Sequence, residues 1–148
     1  MNASTCDMLA SMRLPGGARL VIEGHKFASE TKNLERFHTW VACAFELNPG
    51  YFALENRLTL WCPLDDRNPP RRGDIPRAQQ AASFVAEQLQ NGKHVLVTCA
   101  MGLNRSALVA GLALRLMDVP GEKVVRLIRE ARGPLSLNNR AFLELVLS

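Results

Sequence analysis

The sequence is poor in the features that mark metal-binding, disulfide-bonded and membrane-spanning proteins. Its cysteines are few and scattered, at Cys6, Cys43, Cys62 and Cys99. They form no Cys-x-x-Cys pair and no cysteine–histidine pair at zinc spacing. The longest apolar run, residues 107–117, contains Arg115 and is too short to span a bilayer. We therefore expect reduced cysteines, no bound metal and no membrane span.

Repeats, linkers and low-complexity tracts are also missing from the 148 residues. The first residues carry neither the basic leader nor the apolar segment of a secretory signal. We therefore expect a cytoplasmic protein that forms one domain over 1–148, with residues 1–17 as a flexible amino-terminal segment.

Lysine is scarce, so the formal net charge of +4 rests mainly on arginine. A mildly basic balance favours anionic partners, although an ordinary solvated surface produces it as well. A charge this small gives no reason to expect a DNA partner.

The apolar pattern predicts strands that alternate with helices, followed by helices alone. The predicted strands are 18–24, 41–47, 58–64 and 94–97. The predicted helices are 29–38, 75–90, 106–117, 121–132 and 138–147. This order predicts an α/β fold, a small sandwich with a central, mainly parallel sheet of four or five strands flanked by helices on both faces.

One predicted strand ends in a turn that leads directly into a buried helix, in the segment HVLVTCAMGLNRSALVAGL at 94–112. In α/β sheets, ligands bind at the carboxyl ends of strands, beside the amino termini of helices. Backbone N–H groups and the helix dipole favour an anion there. Gly102 permits a tight or left-handed turn, and Arg105 is placed to grip two oxygens of a phosphate.

Cys99 lies at the base of this predicted anion site. Such an environment favours the thiolate form of a cysteine, so the sequence predicts an ionised nucleophile at neutral pH. Of the four cysteines, only Cys99 has an arginine six positions later. The alternative is a buried, inert thiol with Arg105 on the helix surface.

The segment CAMGLNRS, residues 99–106, resembles the Cys-x5-Arg-Ser/Thr signature of cysteine-dependent protein tyrosine phosphatases, and the small size resembles their atypical dual-specificity branch. The resemblance implies an enzyme without metal or cofactor that forms a cysteinyl-phosphate on Cys99. It implies that Ser106 eases departure of the thiolate. It also implies that phosphate is held by Arg105 and by the loop amides, at Ala100, Met101, Gly102, Leu103, Asn104 and Arg105.

Two positions depart from the family pattern. Thr98 stands where the family usually has histidine before the cysteine, and Asn104 stands where a small residue is more usual. The Thr98 hydroxyl can make a similar hydrogen bond but carries no charge. We therefore expect reduced activity or a pH optimum shifted upward. Asn104 can form hydrogen bonds within the loop.

A leaving alkoxide or phenoxide needs a proton from a carboxylic acid. The segment CPLDDRNPP, at 62–70, resembles the general-acid loop of the family, which makes Asp66 the first candidate and Asp65 the second. An aspartate pair that only caps a turn is the alternative. Asn139 resembles a family position near the last helix, and capping of that helix explains it equally well.

The expected substrates are phosphomonoesters on proteins, namely phosphotyrosine and also phosphoserine or phosphothreonine. A phosphoinositide, an RNA 5′-phosphate or a metabolite is the alternative substrate, and a phosphate-binding pseudophosphatase is the alternative function. The absence of lysine from AMGLN, at 100–104, argues against phosphoinositides. A sulfur-transferring rhodanese fits less well, because its loop is typically one residue shorter. Arginines crowd the acid segment at Arg67, Arg71, Arg72 and Arg77, either to attract acidic substrates or as a solvated edge.

Overall fold

A computed structural model describes residues 15–51 and 57–148, so Cys6 and residues 1–14 of the predicted flexible segment lie outside the described residues. The sheet has four strands, β1 (Leu20–Gly24), β2 (Thr39–Ala44), β3 (Leu58–Leu64) and β4 (Val95–Cys99). Their order is β1-β4-β2-β3, and every pairing is parallel. The prediction of a small, mainly parallel sheet is confirmed.

Within the described residues, six helices surround this sheet. They are α1 (His25–Ala28), α2 (Thr31–Leu34), α3 (Asp74–Gln90), α4 (Arg105–Leu116), α5 (Gly121–Arg132) and α6 (Arg140–Leu147), and 3-10 turns form at Pro15–Gly17 and Pro49–Tyr51. Four of the five predicted helices are confirmed to within two residues at each end. In the described part of the chain, no helix has the length and apolarity needed to cross a bilayer.

The predicted helix 29–38 is wrong, because α1 ends before it and only the single turn α2, Thr31–Leu34, lies within it. The Ser29 hydroxyl donates to the carbonyl of Lys26, so this serine closes α1 instead of starting a longer helix. The Asn33 amide donates to the carbonyl of Phe27 and ties the two turns together. Local hydrogen bonds of Ser and Asn side chains thus outweigh the helical spacing of apolar residues.

Both faces of the sheet are covered. In β4, Val95 and Val97 face a large core formed with α3 to α6, while Leu96 faces a smaller core formed with α1 and α2. A strand buried on both faces reads as a continuous apolar run, which is how β4 appears in the sequence.

The position of β4 in the sheet determines what surrounds its carboxyl end. Gly24 of β1 pairs with Cys99 on one side, and Ala42 of β2 pairs with Thr98 on the other. The residues that follow β1 and β2 therefore flank the loop that follows β4.

Candidate active site

Cys99 ends β4 and begins a loop, residues 99–105, that leads into α4; we call it the cysteine loop. The thiol group is nearly buried, since Cys99 is 4% exposed. The backbone N–H of Gly102 donates to the Cys99 sulfur at 3.2 Å, and the Ser106 hydroxyl oxygen lies 3.2 Å from it. A backbone amide and a hydroxyl group therefore both face the sulfur.

The carbonyl groups of the cysteine loop are held away from the sulfur. Outside donors bind four of them in turn, those of Ala100 (from the His25 N–H), Met101 and Gly102 (both from the Arg132 guanidinium) and Leu103 (from the Leu137 N–H). In a trans peptide, the N–H of the next residue points opposite to the carbonyl. The amides of residues 101–104 are consequently turned to the inside of the loop, as an anion-binding concavity requires.

Gly102 and Arg132 shape the outer side of this loop. Gly102 has a φ of 73°, and a Cβ there would lie 2.8 Å from the backbone carbon of Glu23. Arg132 donates to the Glu23 carboxylate at 2.9 Å as well as to the loop carbonyls. Because Glu23 is 3% exposed, this ion pair belongs to the protein interior.

Arg105, the first residue of α4, lies on the inner side of the loop. Its two terminal nitrogens donate to the Glu46 carboxylate oxygens at 2.6 and 2.9 Å, and one of them also donates to the carbonyl of Leu64. Burial acts to lower the pKa of Arg105, but the hydrogen bonds to Glu46 and nearby negative charges raise it overall. The guanidinium is thus held charged in a fixed orientation.

Glu46, the partner of Arg105, is exposed to solvent. Its side chain is 52% exposed, while that of Arg105 is 9% exposed. The hydrogen bonds from Arg105 lower the pKa of Glu46, against the smaller opposing effect of its burial. A phosphate that replaced this carboxylate on the guanidinium would leave Glu46 in water.

Asp66 lies on the loop that follows β3, residues 65–73, which we call the aspartate loop. Its two carboxylate oxygens accept hydrogen bonds from the side-chain amides of Asn104, at 3.0 Å, and Asn139, at 2.8 Å. Asp65 instead gives its backbone N–H to the carboxylate of Asp74. Of the two predicted candidates, Asp66 is the one whose carboxylate contacts the cysteine loop.

The Asn139 side chain caps α6 and also contacts the aspartate loop. Its carbonyl oxygen accepts from the backbone N–H groups of Ala141 and Phe142, which caps α6. Its amide donates to Asp66 and to the carbonyl of Arg67. One side chain therefore starts a helix and holds the aspartate loop against it.

Thr98 points to the smaller core. Its hydroxyl oxygen accepts a hydrogen bond from the indole N–H of Trp40 at 2.9 Å. Thr98 is 3% exposed, so this hydrogen bond lies within the protein. The threonine at this position is therefore part of the packing behind Cys99.

Two arginines, one on the aspartate loop and one in the first turn of α3, are occupied by protein contacts. Arg77 donates to the buried carboxylate of Asp74 at 2.8 Å, and the Arg71 guanidinium lies 4.9 Å from the centre of the exposed Phe45 ring. Arg67 and Arg72 are exposed. This surface is basic, and part of its charge is used to hold the loop.

Cys43, on the strand next to β4, has a different environment from Cys99. It is completely buried, and burial, followed by a hydrogen bond with Cys62, raises the pKa of the Cys43 thiol well above its ordinary value. It lines a cavity of about 360 Å³ that also reaches Cys99, Glu46 and Leu47. The cavity leaves space beside Cys99.

Within residues 15–51 and 57–148, His, Cys, Asp and Glu side chains form no group that could hold a metal ion.

Sequence reasoning missed Glu23, Glu46 and Arg132. Both glutamates lie at or just beyond the carboxyl ends of the strands that flank β4, and this position was a usable signal. Arg132 lies in the last turn of α5 and carried no comparable signal.

Comparison with known proteins places the fold. No family model matches the chain, and no curated protein matches its sequence. Human DUSP28 has a TM-score of 0.78 at 17% identity, covering 99% of this chain and 92% of that chain. For DUSP15 the TM-score is 0.72 at 17% identity, with 92% and 84% covered. The Yvh1 phosphatase domain from Chaetomium thermophilum has a TM-score of 0.68 at 18% identity, covering 86% of this chain and 88% of that chain. The chain therefore has the fold of the small dual-specificity phosphatases.

Proposed function

We propose that this protein is a phosphatase that hydrolyses phosphomonoesters on proteins, phosphotyrosine and also phosphoserine or phosphothreonine, through a cysteinyl-phosphate intermediate. One observation carries the proposal. The Cys99 sulfur lies in a loop whose carbonyls are bound from outside, so that its amides face inward beside it. The loop ends in Arg105 and is joined through Asn104 to a carboxylic acid, Asp66.

In the first step, the Cys99 thiolate attacks phosphorus. The sulfur–phosphorus bond forms as the bond to the leaving oxygen breaks, and Asp66 gives its proton to that oxygen. Arg105 and the inward amides stabilise the charge that builds up on the other three phosphate oxygens. The planar guanidinium binds two of these oxygens at once, and Glu46 holds it in the required orientation beforehand.

In the second step, water hydrolyses the cysteinyl-phosphate. The Asp66 carboxylate accepts a proton from the water, whose oxygen bonds to phosphorus as the sulfur–phosphorus bond breaks. The sulfur leaves as a thiolate, and the Ser106 hydroxyl, 3.2 Å from it, donates a hydrogen bond to the developing charge. Inorganic phosphate then departs, and Asp66 is again protonated for the next cycle.

Hydrolysis of p-nitrophenyl phosphate by four purified proteins tests the proposal: wild type, Cys99→Ser, Arg105→Lys and Cys62→Ser. Cys62 is a buried thiol outside the site and serves as the matched control. We expect the first two substitutions to abolish turnover, since serine is a far weaker nucleophile and a lysine cannot reproduce the planar fork. Cys62→Ser should retain activity.

The alternatives give different results. A wild-type protein that binds vanadate or phosphate but hydrolyses neither p-nitrophenyl phosphate nor any other phosphomonoester is a pseudophosphatase. Turnover of phosphoinositides or RNA 5′-phosphates in preference to phosphopeptides places the substrate outside proteins. Thiocyanate formed from thiosulfate and cyanide, without phosphate release, indicates a rhodanese.

A further inference from the structure

We infer that Asn104 is a positioning residue for proton transfer, because its side-chain amide ties the Asp66 carboxylate to the cysteine loop. The inference rests on the proposed function, since the position of Asp66 matters to the reaction only if Asp66 transfers a proton. It concerns the residue directly before Arg105, a position where a small residue is more usual in the family that this segment resembles.

The Asn104 amide uses both of its hydrogens. One is donated to an Asp66 carboxylate oxygen at 3.0 Å, and the other to the side-chain oxygen of Asn138 at 2.8 Å. The Asn104 side-chain oxygen accepts from the backbone N–H of Asn139 at 3.0 Å. A flipped amide would set its oxygen against the carboxylate, so the three contacts fix the orientation of the group.

The location of Asn104 makes this use of its side chain unusual. Asn104 occupies the N-cap position of α4, where an asparagine side chain ordinarily accepts from the N–H groups of the first helical turn. Here the side chain is turned to Asp66, Asn138 and Asn139. The backbone N–H groups that begin α4 thereby stay available to an anion, and the Asn104 side chain binds Asp66 instead.

The difference in exposure shows why the acid needs this support. Asn104 is 7% exposed, whereas Asp66 is an exposed residue on the aspartate loop. A general acid must lie within hydrogen-bond reach of the oxygen it protonates, about 2.6–3.2 Å. Two amide donors, from Asn104 and Asn139, restrain both oxygens of the carboxyl group. Each oxygen keeps a second lone pair, so the group can still carry the proton.

Two substitutions remove the donor in different ways. Asn104→Ser shortens the side chain and removes the amide, while Asn104→Asp keeps the shape and places a second carboxylate against Asp66. We expect kcat for phenyl phosphate, which has a poor leaving group, to fall about 10- to 100-fold in both variants. For p-nitrophenyl phosphate, whose leaving group needs less protonation, we expect a fall in kcat at least about 3-fold smaller than the fall for phenyl phosphate in the same variant.

The matched control is Asn138→Ala, which removes an acceptor from the Asn104 amide but leaves both donors to Asp66 in place. It should behave as wild type on both substrates. In an Asp66→Ala background, Asn104→Ser should have no further effect on phenyl phosphate, because the two residues act in one step.

A measurement on the unsubstituted Asn104 covers the case in which its variants do not fold. The side-chain ¹⁵N resonance of Asn104 should move in Asp66→Ala, which removes the acceptor of one of its two amide hydrogens. Equal loss on both substrates, an undiminished effect in the Asp66→Ala background, or an Asn104 resonance that is unchanged in Asp66→Ala overturns the inference. Turnover that persists in the Cys99→Ser variant would instead refute the proposed function itself.

Discussion

Two arginine–glutamate pairs hold the cysteine loop, one on each side of it, and they differ in the exposure of the acid. On the inner side, Arg105 binds Glu46, whose side chain is 52% exposed. On the outer side, Arg132 binds Glu23, whose side chain is 4% exposed, together with two carbonyls of the loop. An exposed carboxylate can be exchanged for a phosphate at little cost, whereas a buried one cannot leave its arginine. The comparison supports the proposal that Arg105 binds phosphate and that Arg132 holds the loop.

The largest effect should come from Arg105→Lys. We expect kcat/KM for p-nitrophenyl phosphate to fall at least about 100- to 1000-fold, because the lysine forms one hydrogen bond where the guanidinium forms two with the transferring phosphoryl group. Thermal unfolding should change little, since the Glu46 left behind is exposed. A variant with nearly full activity contradicts the assignment of Arg105 as the binding arginine.

The second effect concerns stability. Arg132→Met leaves the Glu23 carboxylate in the protein interior without this partner, and we expect a loss of about 3 kcal/mol in the free energy of unfolding in urea. The control is Arg126→Met, which breaks an exposed pair with Glu130, 4.0 Å long, and should cost less than about 1 kcal/mol. If both variants lose the same amount, burial does not distinguish the two pairs.

The sheet and the cysteine loop were predictable because each rests on local pattern. β3 matches its predicted segment, and β4 differs from its own predicted segment only at the ends. Because β4 is buried on both faces, it is a continuous apolar run in the sequence. The predicted helix 29–38 was wrong because the side chains of Ser29 and Asn33 bind backbone carbonyls, and only the single turn α2 forms within the segment. Such competition cannot be judged from apolar spacing.

The partners of the candidate site were not predictable in the same way. Arg105 and Asp66 were candidates because each stands in a short motif, but Glu46 and Arg132 act through contacts between elements far apart in the chain. Asn104 shows the limit most clearly. The sequence marked it as unusual, and only the placement of the aspartate loop reveals that its amide binds Asp66.

The third prediction concerns Asn139, which combines a structural contact and a site contact in one side chain. Asn139→Ala should lose both the cap of α6, about 1 kcal/mol of stability, and the donor to Asp66. Asn139→Asp keeps a carboxylate oxygen that caps the helix but loses the donor. We expect both variants to lose activity on phenyl phosphate, and only Asn139→Ala to lose stability. Equal stability losses in the two variants would show that the aspartate does not replace the asparagine as the cap of α6.

The smallest effect should come from Glu46→Gln. Arg105 lowers the pKa of Glu46 in the folded protein, so the ion pair contributes stability above the ordinary glutamate pKa, and this contribution disappears as pH falls through the lowered value. Because Glu46 is exposed, we expect less than about 1 kcal/mol at neutral pH, and less in high salt. The difference in Tm between wild type and variant should shrink at acid pH. A difference that grows there contradicts the sign of the effect.

The most direct test of the whole account is to trap the intermediate. Wild-type protein is mixed with p-nitrophenyl phosphate, quenched in acid within the first turnover, and digested for mass spectrometry. We predict one phosphoryl group on the sulfur of Cys99 in wild type, more of it in Asp66→Ala, where hydrolysis of the intermediate is slowed, and none in Cys99→Ser. Turnover without any phosphoryl group on Cys99, or with the group on another residue, would contradict the account.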